Sequence, residues 1–277
     1  MKKSNRIVIA VFMVMLCTAV SSRAEEDSAE LAKKLSNPIA NLISVPFQSN
    51  WDNGIEAPHE AHKIPGLHFQ KASRYLLNIQ PVVPISISKD WNLIIRTIVP
   101  YLNVESPIME LDGQNGLGDI TQSFFFSPKE PTSSGWIWGA GPVFLYPSGQ
   151  DGLSARKWGA GPTAVLLKQE HGWTYGILAN HIWSVSGPGL NNISSTFLQP
   201  FVTYTTKTFT TIGLNTESTY DWKNDQWTVP INLTVAQLLK ICGMPMQFQL
   251  GYRYYADKPE GGPDWGLRFT VTFLFPK

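Results

Sequence analysis

The sequence predicts an all-β protein: a transmembrane, antiparallel, up-and-down β-barrel of about twelve strands, with short periplasmic turns at one end and longer extracellular loops at the other. Three observations support this fold class. Apolar and polar residues alternate along most of the chain, which is typical of strands with two different faces. The connections between these segments alternate in length. Charged residues make up only 16% of the chain and aromatic residues 12%, whereas a soluble domain carries about 25–35% charged residues on its surface.

The first 24 residues have the layout of a secretory signal peptide. A basic start, MKKSNR, precedes an apolar run over 7–20, and the small residues Ser22 and Ala24 follow it. The run is shorter than the roughly 20 residues of a membrane-spanning helix. The predicted organisation is a cleaved signal peptide over 1–24, an N-terminal periplasmic segment over 25–38 with a short helix near 28–35, and a barrel over 39–277.

The composition excludes several classes of protein. With 22 Lys and Arg against 21 Asp and Glu, the chain lacks the basic surplus expected of a nucleic-acid-binding protein. Outside the predicted signal peptide, Cys242 is the single cysteine, so no intrachain disulfide is expected. No later stretch approaches 18 uninterrupted apolar residues, which argues against helical membrane spans.

Alternation with a period of two is clearest in the last predicted strand. There Leu267, Phe269 and Val271 lie on one face, and Arg268 and Thr270 lie on the other. Applied along the chain, the pattern predicts twelve strands, near 40–50, 72–86, 91–102, 117–127, 135–146, 157–168, 172–184, 195–206, 208–220, 226–239, 245–256 and 264–275.

The lengths of the connections predict how these strands are arranged. The second, fourth, sixth, eighth and tenth connections are short, and they contain SKD, KEPTSS, QEHG, TKT and ICGM. Most odd-numbered connections are longer and rich in Gly, Asn, Asp and Pro. Outer-membrane barrels have this asymmetry together with an even number of strands. Both ends of the chain are therefore expected on the periplasmic side.

The residue types on the two faces indicate which face meets lipid. The polar faces carry Thr, Ser, Asn, Gln and a few Arg, while Lys lies mainly at turns or strand ends. A soluble lipocalin-like barrel or a sandwich would instead place Lys and Glu densely on the polar face. Tryptophans occur near strand ends, where aromatic girdles meet the two membrane surfaces. The apolar face is therefore predicted to face lipid.

Several segments resemble a known family. The stretch GLGDITQSFFFSP (116–128), with LSNPIANLISVPFQSNWD, LNIQPVVPISISKDWNLIIRTIVP, LQPFVTYTTKT and TESTYDW, resembles the phenol meta-pathway degradation family of bacterial outer-membrane proteins, whose members are often called transporters. The resemblance spans nearly all of 35–277. It implies a membrane β-barrel that acts as a channel for small or aromatic compounds, with no catalytic motif.

The polar strand faces supply candidates for a lumen lining that contacts solute. Four arginines with few carboxylates favour small anionic or hydrogen-bonding solutes if the lumen is open. The alternative is a lumen filled by arginines that pair with Glu217 or Asp119, because twelve strands leave modest room inside a barrel. The candidates are Arg74, Asn78, Gln80, Arg96, Asp119, Thr121, Asn215, Glu217, Asn232, Gln249, Arg253 and Arg268.

The motif WGAGP occurs twice, at 138–142 and 158–162. It lacks the Lys and the Ser or Thr of a phosphate-binding loop and the three glycines of a dinucleotide site. A hairpin centred near Gly152 would place Pro142 opposite Pro162. Either this patch bends the barrel wall or it opens the wall to let an apolar solute leave sideways; its residues are Gly141, Pro142, Gly161 and Pro162.

Prolines also occur inside other predicted strands, where each lacks the N–H group that a sheet needs. Bulges or locally missing hydrogen bonds are expected at these positions. The prolines concerned are Pro46, Pro81, Pro84, Pro100, Pro142, Pro162, Pro200 and Pro230.

Histidines raise two further hypotheses. His59, His62 and His68 could ligate a metal with nearby glutamates, but loop histidines at irregular spacing are more often solvated, so no metal site and no cofactor are predicted. A lipid hydrolase could use His181 with Asn180 and Ser184, or His171 with Ser154. Asn180 and His181 are adjacent on a strand and point to opposite faces, which argues against the first set.

The sequence therefore predicts an outer-membrane protein of a Gram-negative bacterium that conducts small molecules passively, aromatic or apolar compounds among them. The alternatives are a lipid-modifying enzyme and a plugged structural or binding barrel. The expected partners are outer-membrane lipid, a small-molecule solute and the outer-membrane assembly machinery, which usually reads a terminal aromatic such as Phe275, here followed by two more residues. The oligomeric state is left open.

Overall fold

A computed structural model describes residues 22–189 and 191–276. It contains one α-helix, α1 (Ser22–Leu35), a short 3-10 turn at Ala61–Lys63 and fifteen β-segments. The predicted signal peptide lies almost entirely outside the described residues. The segments are β1 (Ile43–Ile55), β2 (Ala72–Ile79), β3 (Val82–Ser86), β4 (Trp91–Val104), β5 (Gln114–Leu117), β6 (Ile120–Pro128), β7 (Trp136–Tyr146), β8 (Trp158–Glu170), β9 (Trp173–Ser186), β10 (Ser194–Thr205), β11 (Thr210–Thr216), β12 (Ser218–Asp221), β13 (Gln226–Ile241), β14 (Met244–Asp257) and β15 (Trp265–Phe275).

The fifteen segments form a single closed sheet in which every pairing is antiparallel. Three pairs of segments, β2 with β3, β5 with β6 and β11 with β12, are the two halves of one interrupted strand, so the wall has twelve strands. The first and last strands close the barrel from Ile43 opposite Phe275 to Asn53 opposite Trp265. The predicted all-β, twelve-stranded up-and-down barrel is confirmed.

The two ends of the barrel differ as the connection lengths predicted. At one end, here called the turn end, short connections join β3 to β4, β6 to β7, β8 to β9, β10 to β11 and β13 to β14. At the other, the loop end, connections such as 56–71 and 147–157 are longer. Residues 43 and 275 both lie at the turn end. Among the described residues, no helix is long and apolar enough to cross a membrane.

The apolar faces of the strands point outward and the polar faces point into the lumen. In β15, Leu267 is half exposed while Arg268 is 4% exposed. In β13, Leu233 is exposed and Asn232 is fully buried. This orientation is opposite to that of a soluble barrel, which would bury the apolar face.

The chain before β1 packs into the turn end of the barrel. Leu31 and Ala32 of α1 form an apolar cluster with Leu274 of β15, and the side-chain amide of Gln169 donates to the carbonyl of Lys33 at 2.8 Å. Residues 36–42, here called the plug, continue into the lumen. Strand β1 consequently begins at Ile43, three residues later than predicted.

Ile39 anchors the plug. Its side chain is 4% exposed and belongs to an apolar cluster with the inward-facing residues Ile94, Phe125 and Leu167. The side chain of Asn37 accepts a hydrogen bond from the backbone N–H of Ile39 at 2.9 Å, which fixes a tight turn. The plug therefore fills the turn-end part of the lumen.

The two Gly-Pro patches face each other as predicted. Pro142 pairs with Pro162 across β7 and β8. At the same level, β7 and β8 lose part of their pairing with the next strand on the other side. β6 and β7 do not pair between Ser123 and Phe126, and β8 and β9 do not pair between Ala160 and Thr163. The interruptions follow because a proline has no N–H to give to the next strand.

Gly141 and Gly161 allow neighbouring backbone to approach closely at these interruptions. A Cβ atom at Gly141 would collide with the carbonyl oxygen of Phe124, and one at Gly161 would collide with the carbonyl oxygen of His181. Glycine is required at both positions because the neighbouring backbone lies too close for a side chain.

We expect Gly161→Ala to destabilise the barrel by about 1–3 kcal/mol, because the added methyl group has no room beside the backbone of β9. The free energy of unfolding is measured by urea titration of the detergent-refolded protein. Ala164→Val is the matched control, since Ala164 lies on the same strand and faces outward with its side chain exposed. Equal effects of the two substitutions would contradict the steric argument.

Candidate functional site

Charged side chains form a layer across the lumen. Arg74, Arg253 and Arg268 project inward with the carboxylates of Asp52 and Glu217. These five residues are called the charge layer. They come from the four neighbouring strands β14, β15, β1 and β2 and from the interruption between β11 and β12, so the layer joins segments that are distant along the chain.

Glu217 is held chiefly by Arg268. The two guanidinium nitrogens Nη1 and Nη2 of Arg268 donate to the two carboxylate oxygens at 2.8 and 2.7 Å, and Nε donates to the side chain of Asn50 at 2.7 Å. Such a bidentate pair fixes both partners in orientation. Arg253 approaches the same carboxylate at 3.9 Å.

Asp52 forms the second half of the layer. It is fully buried, and Arg74 donates to its Oδ2 at 2.7 Å. Nη1 of Arg253 lies 3.4 Å from Oδ1, but these two atoms are not aligned for a hydrogen bond. Arg253 also lies over the ring of Tyr255, with its guanidinium carbon 5.4 Å from the ring centre. With three arginines and two carboxylates, the charge layer contains one more positive than negative charge.

Two cavities lie on either side of the charge layer. One, of about 540 Å³, opens at the loop end and is lined by Arg74, Tyr255 and loop residues. The other, of about 250 Å³, lies at the turn end between the layer and the plug and is lined by Gln80 and Arg96 among others. Strand order supports this arrangement, because β2 runs from Arg74 beside the first cavity towards Gln80 beside the second.

Arg96 lies on the turn-end side of the layer, and Asn232 lies directly across from Arg253 in the β13–β14 ladder. Nη2 of Arg96 donates to the side-chain oxygen of Gln80 at 2.8 Å. The side-chain amide of Asn232 donates to the side-chain oxygen of Asn215 at 2.9 Å. Asn78, Gln249 and Thr121 share the inward faces by strand alternation; the structure shows no side-chain hydrogen bond from any of the three within the described residues.

Of the two carboxylates named as possible partners of the arginines, Glu217 pairs with Arg268, whereas Asp119 does not join the arginines. Its carboxylate accepts hydrogen bonds from the backbone N–H groups of Gly149 and Ala155 at 3.1 and 2.9 Å. It therefore fixes the loop over 147–157. Asp119 lies in the interruption between β5 and β6, where the backbone leaves the regular alternation.

Asp52 is not among the predicted lining residues, and the predicted first strand ends two residues before it. It has the same parity as Gln48 and Asn50, so the alternation would have placed it in the lumen had the strand been continued to its observed end at Ile55.

The three loop histidines have separate contacts. The ring of His62 packs against that of Phe69, and Nδ1 of His68 lies 2.7 Å from a carboxylate oxygen of Glu110. Hydrogen bonds from the side chain and backbone of His68 lower the pKa of the Glu110 carboxyl. Within residues 22–189 and 191–276, no group of three or more His, Cys, Asp or Glu could hold a metal ion.

Neither hydrolase arrangement is assembled. His181 lies next to Thr196, with 2.7 Å between Nδ1 and Oγ1, while the hydroxyl of Ser184 accepts from the backbone N–H of Ile193. His171 is in the turn between β8 and β9, whereas Ser154 is in the loop between β7 and β8, at the opposite end of the barrel. A nucleophile and its base must lie within hydrogen-bond reach, so these hypotheses are wrong.

The fold is similar to that of solved membrane barrels. The crystal structure of an outer membrane channel from Pseudomonas putida F1 matches with a TM-score of 0.65 at 15% sequence identity, covering 85% of this chain and 96% of that one. Outer membrane phospholipase A from Escherichia coli matches with a TM-score of 0.46 at 9% identity, covering 84% and 96%. No protein-family model and no curated protein matches the sequence, so the resemblance to the phenol-degradation family stays a prediction.

We expect Glu217→Gln to lower the free energy of unfolding by about 3–5 kcal/mol, because it leaves the buried Arg268 without its counter-charge. The measurement is urea titration of the refolded barrel. Glu170→Gln is the control: it removes an ion pair with Lys168 at the exposed rim and should change stability little.

Combining Glu217→Gln with Arg268→Met should recover part of the loss, since both charges of the pair are then absent. A double variant that loses the sum of the two single effects would contradict a coupled pair in the charge layer.

Proposed function

We propose that this protein is a channel of the bacterial outer membrane that lets small molecules cross passively. The observation that carries the proposal is a polar lumen with two cavities, inside a closed barrel whose outward face is apolar. In hydrocarbon every backbone group of a strand must be satisfied, and a closed barrel achieves this. The fold shared with an outer membrane channel is consistent with the proposal.

Aromatic pairs at both ends of the wall support a membrane position. Trp91 packs against Trp138 and Trp173 against Tyr204 at the turn end. At the loop end the pairs are Tyr146 with Trp158, Tyr220 with Trp227 and Tyr252 with Trp265. Rows of this kind mark the two interfaces of outer-membrane barrels. The turn end is then periplasmic, and export by the predicted signal peptide would deliver the chain.

The family resemblance extends the proposal to aromatic and other small compounds as solutes. A lumen with polar walls and more arginines than carboxylates suits solutes that accept hydrogen bonds or carry negative charge. The Gly-Pro patch of Gly141, Pro142, Gly161 and Pro162 is the second element of the proposal. Its ladders carry fewer hydrogen bonds, so it is where the wall would part if a solute left sideways.

The plug favours a second candidate, a closed barrel with a structural or binding role, because residues 36–42 occupy the turn-end lumen. Single-channel recordings in planar bilayers separate the two. Discrete conductance steps support the channel, whereas absence of conductance together with absence of solute uptake by proteoliposomes would leave the structural barrel.

We expect Ile39→Ala to raise the open probability of the channel. The lost side chain removes apolar contacts worth about 2 kcal/mol or more, which shifts a closed–open equilibrium by roughly thirtyfold or more. Ile64→Ala is the control, since Ile64 is exposed at the loop end, outside the lumen. If Ile39→Ala leaves openings unchanged, the plug is not the gate.

A further inference from the structure

Arg96 differs from the other three arginines of the lumen. Arg74, Arg253 and Arg268 each lie within 4.0 Å of a carboxylate oxygen, whereas Arg96 forms no ion pair with any described residue. The oxygen of Gln80 is its hydrogen-bond acceptor, and Nη2 is the donating nitrogen. A guanidinium inside a protein is stabilised by an anion or by several acceptors. Here one neutral acceptor lies within hydrogen-bond distance of Arg96, and the carboxylate of Glu217 acts on it from beyond ion-pair distance.

The remaining face of Arg96 borders the turn-end cavity of about 250 Å³. Neutral polar groups converge on the same space. Gln199 and Gln247 line it, and neither side chain has a hydrogen-bond partner among the described residues. The hydroxyl oxygen of Thr203, also in the lining, is buried and has no hydrogen-bond partner. The cavity therefore combines Arg96 with several unused donors, and its second cation, Lys34, is already paired with Glu30.

The cavity also has apolar lining, part of it next to Arg96, since Val82 lies directly across from Arg96 in the β3–β4 ladder. Phe201 and Val82 from the wall and Leu42 from the plug line it. Sites for drug-sized ligands usually measure about 300–1,000 Å³, so this cavity suits a smaller molecule. The cavity therefore suits a ligand with a negatively charged end that contacts Arg96 and a compact apolar body that packs against Phe201.

We propose that the cavity beside Arg96 is a binding site for a small organic carboxylate. The planar fork of an arginine matches a carboxylate and donates to both of its oxygens. The glutamine amides and the Thr203 hydroxyl complete the shell of the carboxylate. This inference deepens the proposed channel function and rests on it for the idea that the bound molecule is a passing solute.

Binding of benzoate to the purified full barrel in detergent, measured by titration calorimetry, tests the site. Benzoate should bind more tightly than acetate, which lacks the apolar body, and benzyl alcohol, which lacks the charge, should not bind. Arg96→Gln should weaken benzoate binding by roughly tenfold to a hundredfold, since hydrogen bonds to a charged partner are lost. Thr203→Val should weaken it by a few-fold.

Arg156→Gln is the matched control, because it removes the same charge from a loop-end ion pair with Asp151 and should leave benzoate affinity unchanged. If Arg96→Gln does not fold, as judged by gel mobility, Arg96→Lys keeps the charge and loses the fork, and it should weaken binding by several-fold. Unchanged affinity in the folded Arg96 variant, or equal binding of benzyl alcohol and benzoate, would overturn the proposal. Preference for inorganic phosphate over benzoate would overturn it as well.

Bilayer recordings made on the same preparation keep the two proposals apart. Benzoate binding without conductance would leave the carboxylate site standing and remove the channel. Conductance without benzoate binding would support the channel and remove the carboxylate site. When both hold, benzoate should reduce the current through the wild-type channel and have a smaller effect on Arg96→Gln.

Discussion

The need to satisfy every backbone N–H and C=O group within a single closed sheet is the constraint on which this structure depends. An open edge would leave such groups unpaired, which is costly in hydrocarbon. Closure between β1 and β15 removes the edge, and it also fixes which residues face inward, because alternation along twelve antiparallel strands allows one choice. The inward set is largely polar and includes charges, so buried charges of opposite sign pair across the lumen. The pairs of Asp52 with Arg74 and of Glu217 with Arg268 are the result.

Prolines interrupt the regular backbone hydrogen bonding of the sheet at particular positions. All three interrupted strands lie beside prolines: Gln80 N–H donates to the carbonyl of Pro46, Gly118 N–H to that of Pro100, and Glu217 N–H to that of Pro230. Each interruption frees a polar side chain from the regular wall. Glu217 enters the charge layer, Asp119 holds a loop, and Gln80 binds Arg96. The prolines that appear unfavourable for a barrel therefore create the irregular positions from which its internal polar contacts are made.

Much of the fold could be predicted from the sequence, because the alternation of apolar and polar residues is a local pattern that fixes which face of every strand points into the closed barrel. The number of strands, the sidedness of the connections and the pairing of Pro142 with Pro162 all follow from the two-residue alternation and from hairpin symmetry. The side-chain contacts inside the lumen do not follow from these patterns. The partner of Arg268 is 51 residues away along the chain, and Asp119 occupies a break in alternation that parity cannot reveal. The plug was also missed, since nothing in NPIANL distinguishes a residue that enters a lumen from one that begins a strand.

The plug and the charge layer act on the same lumen in different ways. The plug is held by apolar contacts of a single short segment, so it can leave as a unit when those contacts are lost. The charge layer is cross-linked between four strands and an interruption, and a rearrangement of one arginine must leave a buried carboxylate short of a partner. Arg96 lies between these two barriers and makes no ion pair, so it can exchange its contacts without separating a buried pair of charges. A solute anion entering from either side would meet a cation whose neutralisation does not compete with the bonds that hold the barrel together. In the proposed site, the residues that stabilise the wall are thereby separate from the residue that would contact a solute.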